Sequence, residues 1–271
     1  MKIIGILLTW NNLIFLKYSL KQALQFCDEV IVVEGGHSKH HEIKSTDGTR
    51  EHLKSIKDPK LKLYFADELN YTGRYDNVQC SIRQFALRES TYHKPGNWII
   101  PWDDDMFYFD KDLVTLRKVM STTKHDTLTL NQKAFGYNFR FCASESKAVR
   151  FNRITKGCFY QPISHLCYKD SRRYGKGKSL DLTCFHYSRV KKSNRMKARW
   201  LMSIEKGTKV SIGGFERWMA FRWKDDQDFL RQEKEVLYLF SNPNISVYNG
   251  VHPEIVKDHP WLTVNDTRTL K

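Results

Sequence analysis

"WIIPWDDDMFYF", Trp98 to Phe109, is the stretch that decides how this chain is read. An apolar run of strand length reaches a proline and a tryptophan, meets three aspartates, then turns aromatic again. The surrounding chain is strongly basic, with 45 Lys and Arg against 30 Asp and Glu, so the cluster is out of character. Two unit charges about 4 Å apart repel by roughly 4 kcal/mol at an effective dielectric near 20. A divalent cation turns that repulsion into attraction. Side chains alternate along an extended chain, so Asp103 and Asp105 share a face and Asp104 points away. A D-x-D pair of this kind suits one hard cation, Mg²⁺ or Mn²⁺, with positions left open for phosphate oxygens. The bland alternative is a solvated turn, with Asp110 and Asp112 capping the next helix. A buried strand running into the cluster favours the metal site.

The sequence on either side supplies the sheet. "KIIGILLT" (2–9), "EVIVVEGG" (29–36), "LKLYFA" (61–66) and "NWIIPW" (97–102) are apolar runs of strand length. Leu13, Leu16, Leu20, Ala23, Leu24 and Cys27 fall on one helical face between the first two. Asp76 is placed to cap a helix carrying Val78, Ile82, Phe85 and Ala86. Strand and helix alternate, which predicts an α/β fold with a mostly parallel open sheet and helices on both faces. Ligands of such sheets bind at the carboxyl ends of the strands. A helix after Asp110 turns Leu113, Leu116 and Met120 inward. Beyond it the rhythm changes, and a smaller mixed region follows. "DTLTLNQKAF" (126–135), "SLDLTCFHYS" (179–188) and "CFYQPISHLCY" (158–168) read as strands, residues 140–178 are hard to assign, and a helical pattern returns over 215–240. The organisation expected is 1–109, 110–240 and a turn-rich extension, 241–271.

Bulk composition narrows the function. The 271 residues carry a net charge of +15, which suits a phosphorylated partner or an anionic membrane surface. The six cysteines include no CxxC pair, which disfavours a structural zinc site and suggests reduced thiols in a cytoplasmic setting. No apolar run reaches transmembrane length, so any membrane contact is expected to be peripheral to the inner face. There is no Walker A sequence, no GxGxxG fingerprint and no GxSxG elbow.

Four pieces taken together carry a resemblance: "LLTWNN" ending strand one, "VIVVEGG" for strand two, "STDGTREHL" (45–53) opening a helix, and "WIIPWDDDM". In order and spacing the first hundred or so residues resemble the family 2 glycosyltransferases, whose glycosyltransferase-A fold binds nucleotide sugars. The resemblance implies a nucleotide-diphosphate sugar as donor and a glycan, a lipid-linked glycan or a protein as acceptor, as in polysaccharide biosynthesis, and it favours an inverting hexosyl transfer. It implies that Thr9, Trp10, Asn11 and Glu34 cradle the nucleobase and that Asp47 lies at the nucleotide edge. Asp103 would face ribose or metal, Asp104 would join the nucleotide-sugar contacts, and Asp105 would bind Mn²⁺ or Mg²⁺. The family commonly has Asp where this chain has Glu34, and the loop from Gly35 to Lys44 is longer here.

Further candidates lie outside these motifs. His186, late in a strand among aromatics, reads by itself as a packed or surface residue; the resemblance implies a second role, since glycosyltransferase-A enzymes often bring a histidine from beyond the D-x-D strand to the metal or diphosphate, and there a neutral His186 would complete the metal shell, with His165 the weaker rival. Arg83, on the helix before strand four, is a candidate for the phosphates. In "RRYGKGK", Arg173, Lys176 and Lys178 suit a phosphate-grasping loop. From 186 to 224, eleven Lys or Arg stand against two acidic residues. Inversion needs a carboxylate to take the acceptor's proton; Glu216, Asp170 and Asp181 are the candidates, Glu216 ranked first. "STDGT" has its own local logic: Gly48 permits positive φ and Thr49 is placed to cap the helix that follows. Two rival functions share the basic charge. A metal-dependent phosphoryl or nucleotidyl transferase would also use paired aspartates. A non-catalytic nucleic-acid-binding protein would find a bare carboxylate triplet repulsive to phosphate, so no specific nucleic acid is expected.

Overall fold

A computed structural model describes residues 1–36, 41–69, 75–136, 139, 141–160, 166–167, 177–190, 198, 201 and 246–263. The chain opens as β1 (Ile3–Thr9), α1 (Leu13–Phe26), β2 (Glu29–Glu34), α2 (Thr49–Ser55), β3 (Leu61–Phe65), α3 (Tyr75–Glu89) and β4 (Trp98–Pro101). It continues as β5 (Met106–Tyr108), α4 (Asp110–Thr122), β6 (Thr127–Gly136), β7 (Phe141–Arg153), β8 (Phe159–Tyr160), β9 (Leu166–Cys167), β10 (Lys178–Arg189) and β11 (Ser246–Val247). Among the described residues one nine-stranded sheet has the order β3-β2-β1-β4-β7-β6-β10-β5, with β11 against β7. The four strands from β3 to β4 are parallel. From β7 onward antiparallel pairings enter, while β6 and β10 run parallel. The sheet crosses residue 110 without interruption, so the mixed half extends the same layer. The stretch 158–168 supplies the short β8–β9 pair, off the main sheet.

Why the first half is parallel follows from its side chains. All seven β1 positions and all six β2 positions are buried. Ile3, Leu7, Val30, Val32, Trp98 and Ile100 pack with Leu16, Leu20 and Ala23 of α1 and with Leu113, Leu116 and Met120 of α4. The alternate residues Ile4, Ile6, Ile31, Val33 and Ile99 pack with Val78, Ile82, Ala86 and Leu87 of α3. Period-two alternation thus feeds two apolar layers, each covered by helix. Gly5 lets α1 end close to the sheet, since a Cβ there would lie 3.0 Å from Cys27 Sγ. A third cluster, around Phe15, Phe107, Phe135, Phe139, Phe185 and Tyr187, packs the mixed half against Val256 near the C-terminus.

Local details differ from the sequence reading in instructive ways. The stripe of α1 also buries Ser19 and Gln22. Gln22 behaves as a neighbouring strand: its Nε2 donates to the Tyr108 carbonyl at 2.8 Å, and its Oε1 accepts the Tyr108 N–H at 3.0 Å. Thr49 does not cap α2. It is the first helical residue, and Asp47 Oδ1 accepts both its N–H and its hydroxyl. Asp110 and Asp112 lie in the first turn of α4 rather than capping it, where they still complement the helix dipole. Asp76 likewise lies inside α3, which begins at Tyr75. The strand β7 gave no sequence signal because Ser144, Glu145, Ser146 and Lys147 interrupt its apolar content, yet it pairs with β6 along most of its length. The helix read over 215–240 lies outside the described residues. No described helix is long and apolar enough to cross a membrane.

Two imidazoles tie this packing to pH. Burial pushes His252 and His259 down to about 4, from an ordinary value near 6.5. Their folded values lie below their unfolded ones, so their contribution is complete above about pH 6.5 and is lost as pH falls toward 4. Each accounts for up to about 3 kcal/mol over that window. The thermal midpoint is therefore expected to drop between about pH 7 and about pH 4.5. A flat profile in differential scanning calorimetry would contradict neutral, buried imidazoles at these positions.

Candidate functional site

From β1 the chain proceeds to β2 and β3 on one side, whereas β4 pairs on the other. Order reverses between β1 and β4, and a crevice at such a switch point is where open α/β sheets bind ligands. The residues leaving the carboxyl ends of these two strands are Thr9 to Asn11 and Asp103 to Asp105. They meet through a hydrogen bond from the Thr9 hydroxyl to Asp104 Oδ2, 2.7 Å long. Asp104 and Asp105 are buried, and the Asp103 side chain is one-third exposed.

The aspartate loop is held from several sides. Ser19 Oγ donates to the Asp103 carbonyl at 3.2 Å, and the Tyr187 N–H donates to the Asp105 carbonyl at 2.9 Å. The strand β5 starts immediately after the loop and pairs antiparallel with β10, placing His186 opposite Met106. That register brings His186 Nε2 to 3.1 Å from Asp105 Oδ1 and 3.9 Å from Asp103 Oδ2. Arg83, buried on α3, places Nη2 3.5 Å from Asp103 Oδ1, and its Nε has no partner among the described residues. Asp103, Asp105, His186 and Arg83 therefore converge from three separate elements.

Beside them, "LLTWNN" and "STDGT" are stitched into one unit. Asn11 takes φ +47. Its N–H donates to Ser45 Oγ at 2.9 Å, and its Oδ1 accepts the Thr46 N–H at 2.6 Å. Asp47 Oδ2 accepts the Leu13 N–H at 2.9 Å, so one carboxylate serves the starts of both α1 and α2 across the left-handed Gly48, φ +87. Glu34 is fully buried; it accepts the Ser45 N–H at 3.0 Å and is paired with Arg50 Nε. Arg50 Nη2 also reaches Asp67 Oδ1 at 2.6 Å, and the guanidinium lies over the Phe65 ring. Burial would lower the Arg50 value, but Asp67 and Glu34 outweigh it and raise it; Arg50 in turn holds Asp67 below its usual range. Trp10 is almost wholly buried, and its ring stacks on His41 at 4.0 Å. Glu34 and Asp47 thus act in this structure as fasteners of the loop that Thr9, Trp10 and Asn11 occupy.

Other sequence candidates are not brought here. Asp181 is exposed and bonded by Asn131 Nδ2 at 3.1 Å. It sits five residues before His186, or roughly 16 Å back along a strand that rises about 3.3 Å per residue. Lys178 begins the same strand, further away still. Asp170, Glu216, His165, Arg173 and Lys176 lie outside the described residues, as does most of the basic stretch 186–224. Arg50, Ser19 and Gln22 were missed. The signal for the latter pair was present: two polar residues, three apart, interrupt an otherwise apolar helical stripe.

Among the described residues no three His, Cys, Asp or Glu side chains form a ready-made metal cage. The donor set nevertheless suits a hard divalent ion that draws part of its shell from elsewhere. Two cis ligands of an octahedral ion about 2.1 Å from it are about 3 Å apart, close to the 3.1 Å between His186 Nε2 and Asp105 Oδ1. Mg²⁺ in particular takes one or two carboxylates and completes its octahedron with water and phosphate.

The chain matches no family model and no curated protein. Among solved structures it is similar to residues 1–349 of S. aureus TarS, with 14% identity and a TM-score of 0.45, over 89% of this chain and 80% of that one.

Removing the Arg50 guanidinium isolates a buried carboxylate, the costly half of a broken ion pair. Arg50→Met should lose about 3–5 kcal/mol of stability by chemical denaturation. Pairing it with Glu34→Gln should recover part of that loss. A single-variant loss below about 1 kcal/mol would show that Glu34 is not held as described.

Proposed function

We propose that this chain is a metal-dependent glycosyltransferase that takes its sugar from a nucleotide-diphosphate donor. One observation carries the reading: Asp103, Asp105 and His186 converge, beside Arg83, in the crevice where the strand order reverses. The family resemblance of the first hundred residues led to the same crevice. The parallel order β3-β2-β1-β4 running on into antiparallel strands also supports a glycosyltransferase-A type of sheet.

Asp105, Asp103 and His186 would hold Mn²⁺ or Mg²⁺ between them. When bound, that ion would stabilise the negative charge that builds on a diphosphate leaving group. Arg83 sets a buried, fixed cation next to Asp103, which compensates the crowded carboxylates. Ligation through Nε2 requires the His186 proton on Nδ1, which is buried and has no partner among the described residues. The Thr9–Asn11 turn, fixed by Ser45 and Thr46, would offer its backbone to the nucleoside.

A thermal-shift screen of UDP-, GDP- and dTDP-sugars, with and without Mn²⁺, tests this directly. A binding partner raises apparent stability by mass action, about 2.7 kcal/mol at a hundredfold excess over Kd. One nucleotide sugar is expected to raise the midpoint only with the metal present. Asp103→Asn and Asp105→Asn should abolish that shift, sugar transfer and donor hydrolysis, while leaving the unliganded midpoint within a few degrees. Wild-type activity in both variants would remove the metal role, and a shift with nucleoside triphosphates alone would favour a nucleotidyl transferase.

A further inference from the structure

Of the three aspartates, the middle one is the least accounted for. Asp104 is only 4% exposed and Thr9 only 1%, so their 2.7 Å hydrogen bond lies away from solvent. Burying a carboxylate is costly, and a Thr hydroxyl that points at it from the last residue of the neighbouring strand is a built contact. We propose that Asp104 is a positioning residue for the metal pair. By drawing the middle side chain inward to Thr9, it fixes the turn that presents Asp103 and Asp105 together toward His186.

The geometry leaves this bond a specific task. In the sheet, β1 and β4 pair only as far as Ile6 and Pro101, with one further backbone bond from the Trp102 N–H to the Ile6 carbonyl at 2.8 Å. Beyond that point no backbone hydrogen bond joins β1 to the chain after β4 among the described residues. The Thr9–Asp104 bond spans them there, past the end of the ladder. Ser19 and Tyr187 hold the carbonyls of Asp103 and Asp105 but do not set which way the side chains turn. The segment is a turn, closed by the Met106 N–H on the Asp103 carbonyl at 3.1 Å with Asp104 at its corner, and tying that corner to Thr9 sets how the turn sits against β1. Without the Thr9 hydrogen bond that corner loses its tie to β1, and the two flanking carboxylates lose their common focus.

This inference rests on the metal reading above, and the test separates the two. Mn²⁺ binding to the full chain is measured by loss of the free-ion EPR signal, with Mn²⁺ alone and with UDP, GDP or dTDP added. The set is wild type, Thr9→Val, Thr9→Ser, Asp104→Asn and Asp105→Asn, each with its thermal midpoint. Thr9→Val keeps the shape but removes the donor; it should weaken Mn²⁺ binding about 10- to 100-fold, the range typical of outer-shell changes. Thr9→Ser restores the hydroxyl and should rescue binding. Asp104→Asn retains an oxygen that accepts the Thr9 hydroxyl, so it should stay within about threefold of wild type while Asp105→Asn loses binding. If Asp104→Asn falls as far as Asp105→Asn while Thr9→Val binds normally, Asp104 is itself a ligand and the proposal is overturned. A uniform loss in Thr9→Val that tracks a collapsed thermal midpoint, unrescued by Thr9→Ser, also overturns it. If wild type takes up no Mn²⁺ under any of these conditions, the metal reading fails and this inference with it. Normal binding in Asp105→Asn sinks the assignment of the pair as ligands without touching the Thr9–Asp104 bond itself.

Discussion

Carboxylates packed at the end of one buried strand repel each other, and everything around them in this chain serves to hold them there. Repulsion of a few kcal/mol per close pair is comparable with a large share of a domain's whole stability. The structure meets it with a division of labour. Asp104 turns inward to a hydroxyl. Asp103 stands beside the Arg83 guanidinium, and Asp105 beside the His186 imidazole. The backbone between them is tied to α1 through Ser19 and to β10 through Tyr187. An arrangement this constrained, on a turn held at the carboxyl end of β4 where the strand order reverses, is the physical basis of the functional reading.

The same constraint explains the polar inserts elsewhere. Gln22 sits on the apolar face of α1 because the short strand β5 needs a hydrogen-bonding neighbour there. The Glu34–Arg50–Asp67 chain links the end of β2, the start of α2 and the 3-10 turn over Ala66–Glu68. Through Ser45 it fixes the loop that embraces Asn11. Buried ion pairs are poor sources of net stability, but they specify geometry. Here the geometry specified is the rim of the crevice.

Much of this was legible from residues alone, for definite reasons. Ile3 to Thr9 and Glu29 to Glu34 are apolar on both faces, which only a covered parallel strand requires. Leu113, Leu116 and Met120 declared their face by spacing. Gly48 declared its left-handed turn, whereas strand alternation does not describe Asp103 to Asp105, where the Met106 N–H closes a turn on the Asp103 carbonyl at 3.1 Å. What sequence could not give was the outcome of long-range pairing. Asp47 capping two helices depends on Leu13 arriving beside it. Arg50 claiming Glu34 depends on α2 folding back against β2. The strand β7 became visible only through β6, because a strand of small and charged residues carries no apolar rhythm of its own. His186 needed the β5–β10 register, which fixes it opposite Met106.

The most direct measurement of the central claim is the position of a metal ion. Crystals grown with Mn²⁺ and a nucleoside diphosphate, recorded at a wavelength where manganese scatters anomalously, would locate it without reference to activity. The expected result is one strong peak bounded by Asp103, Asp105 and His186, about 2.1 Å from an Asp105 oxygen, with diphosphate oxygens completing the shell. A peak elsewhere on the chain, or a nucleotide bound in the crevice with Asp105 still turned to His186 and no ion between them, would contradict it.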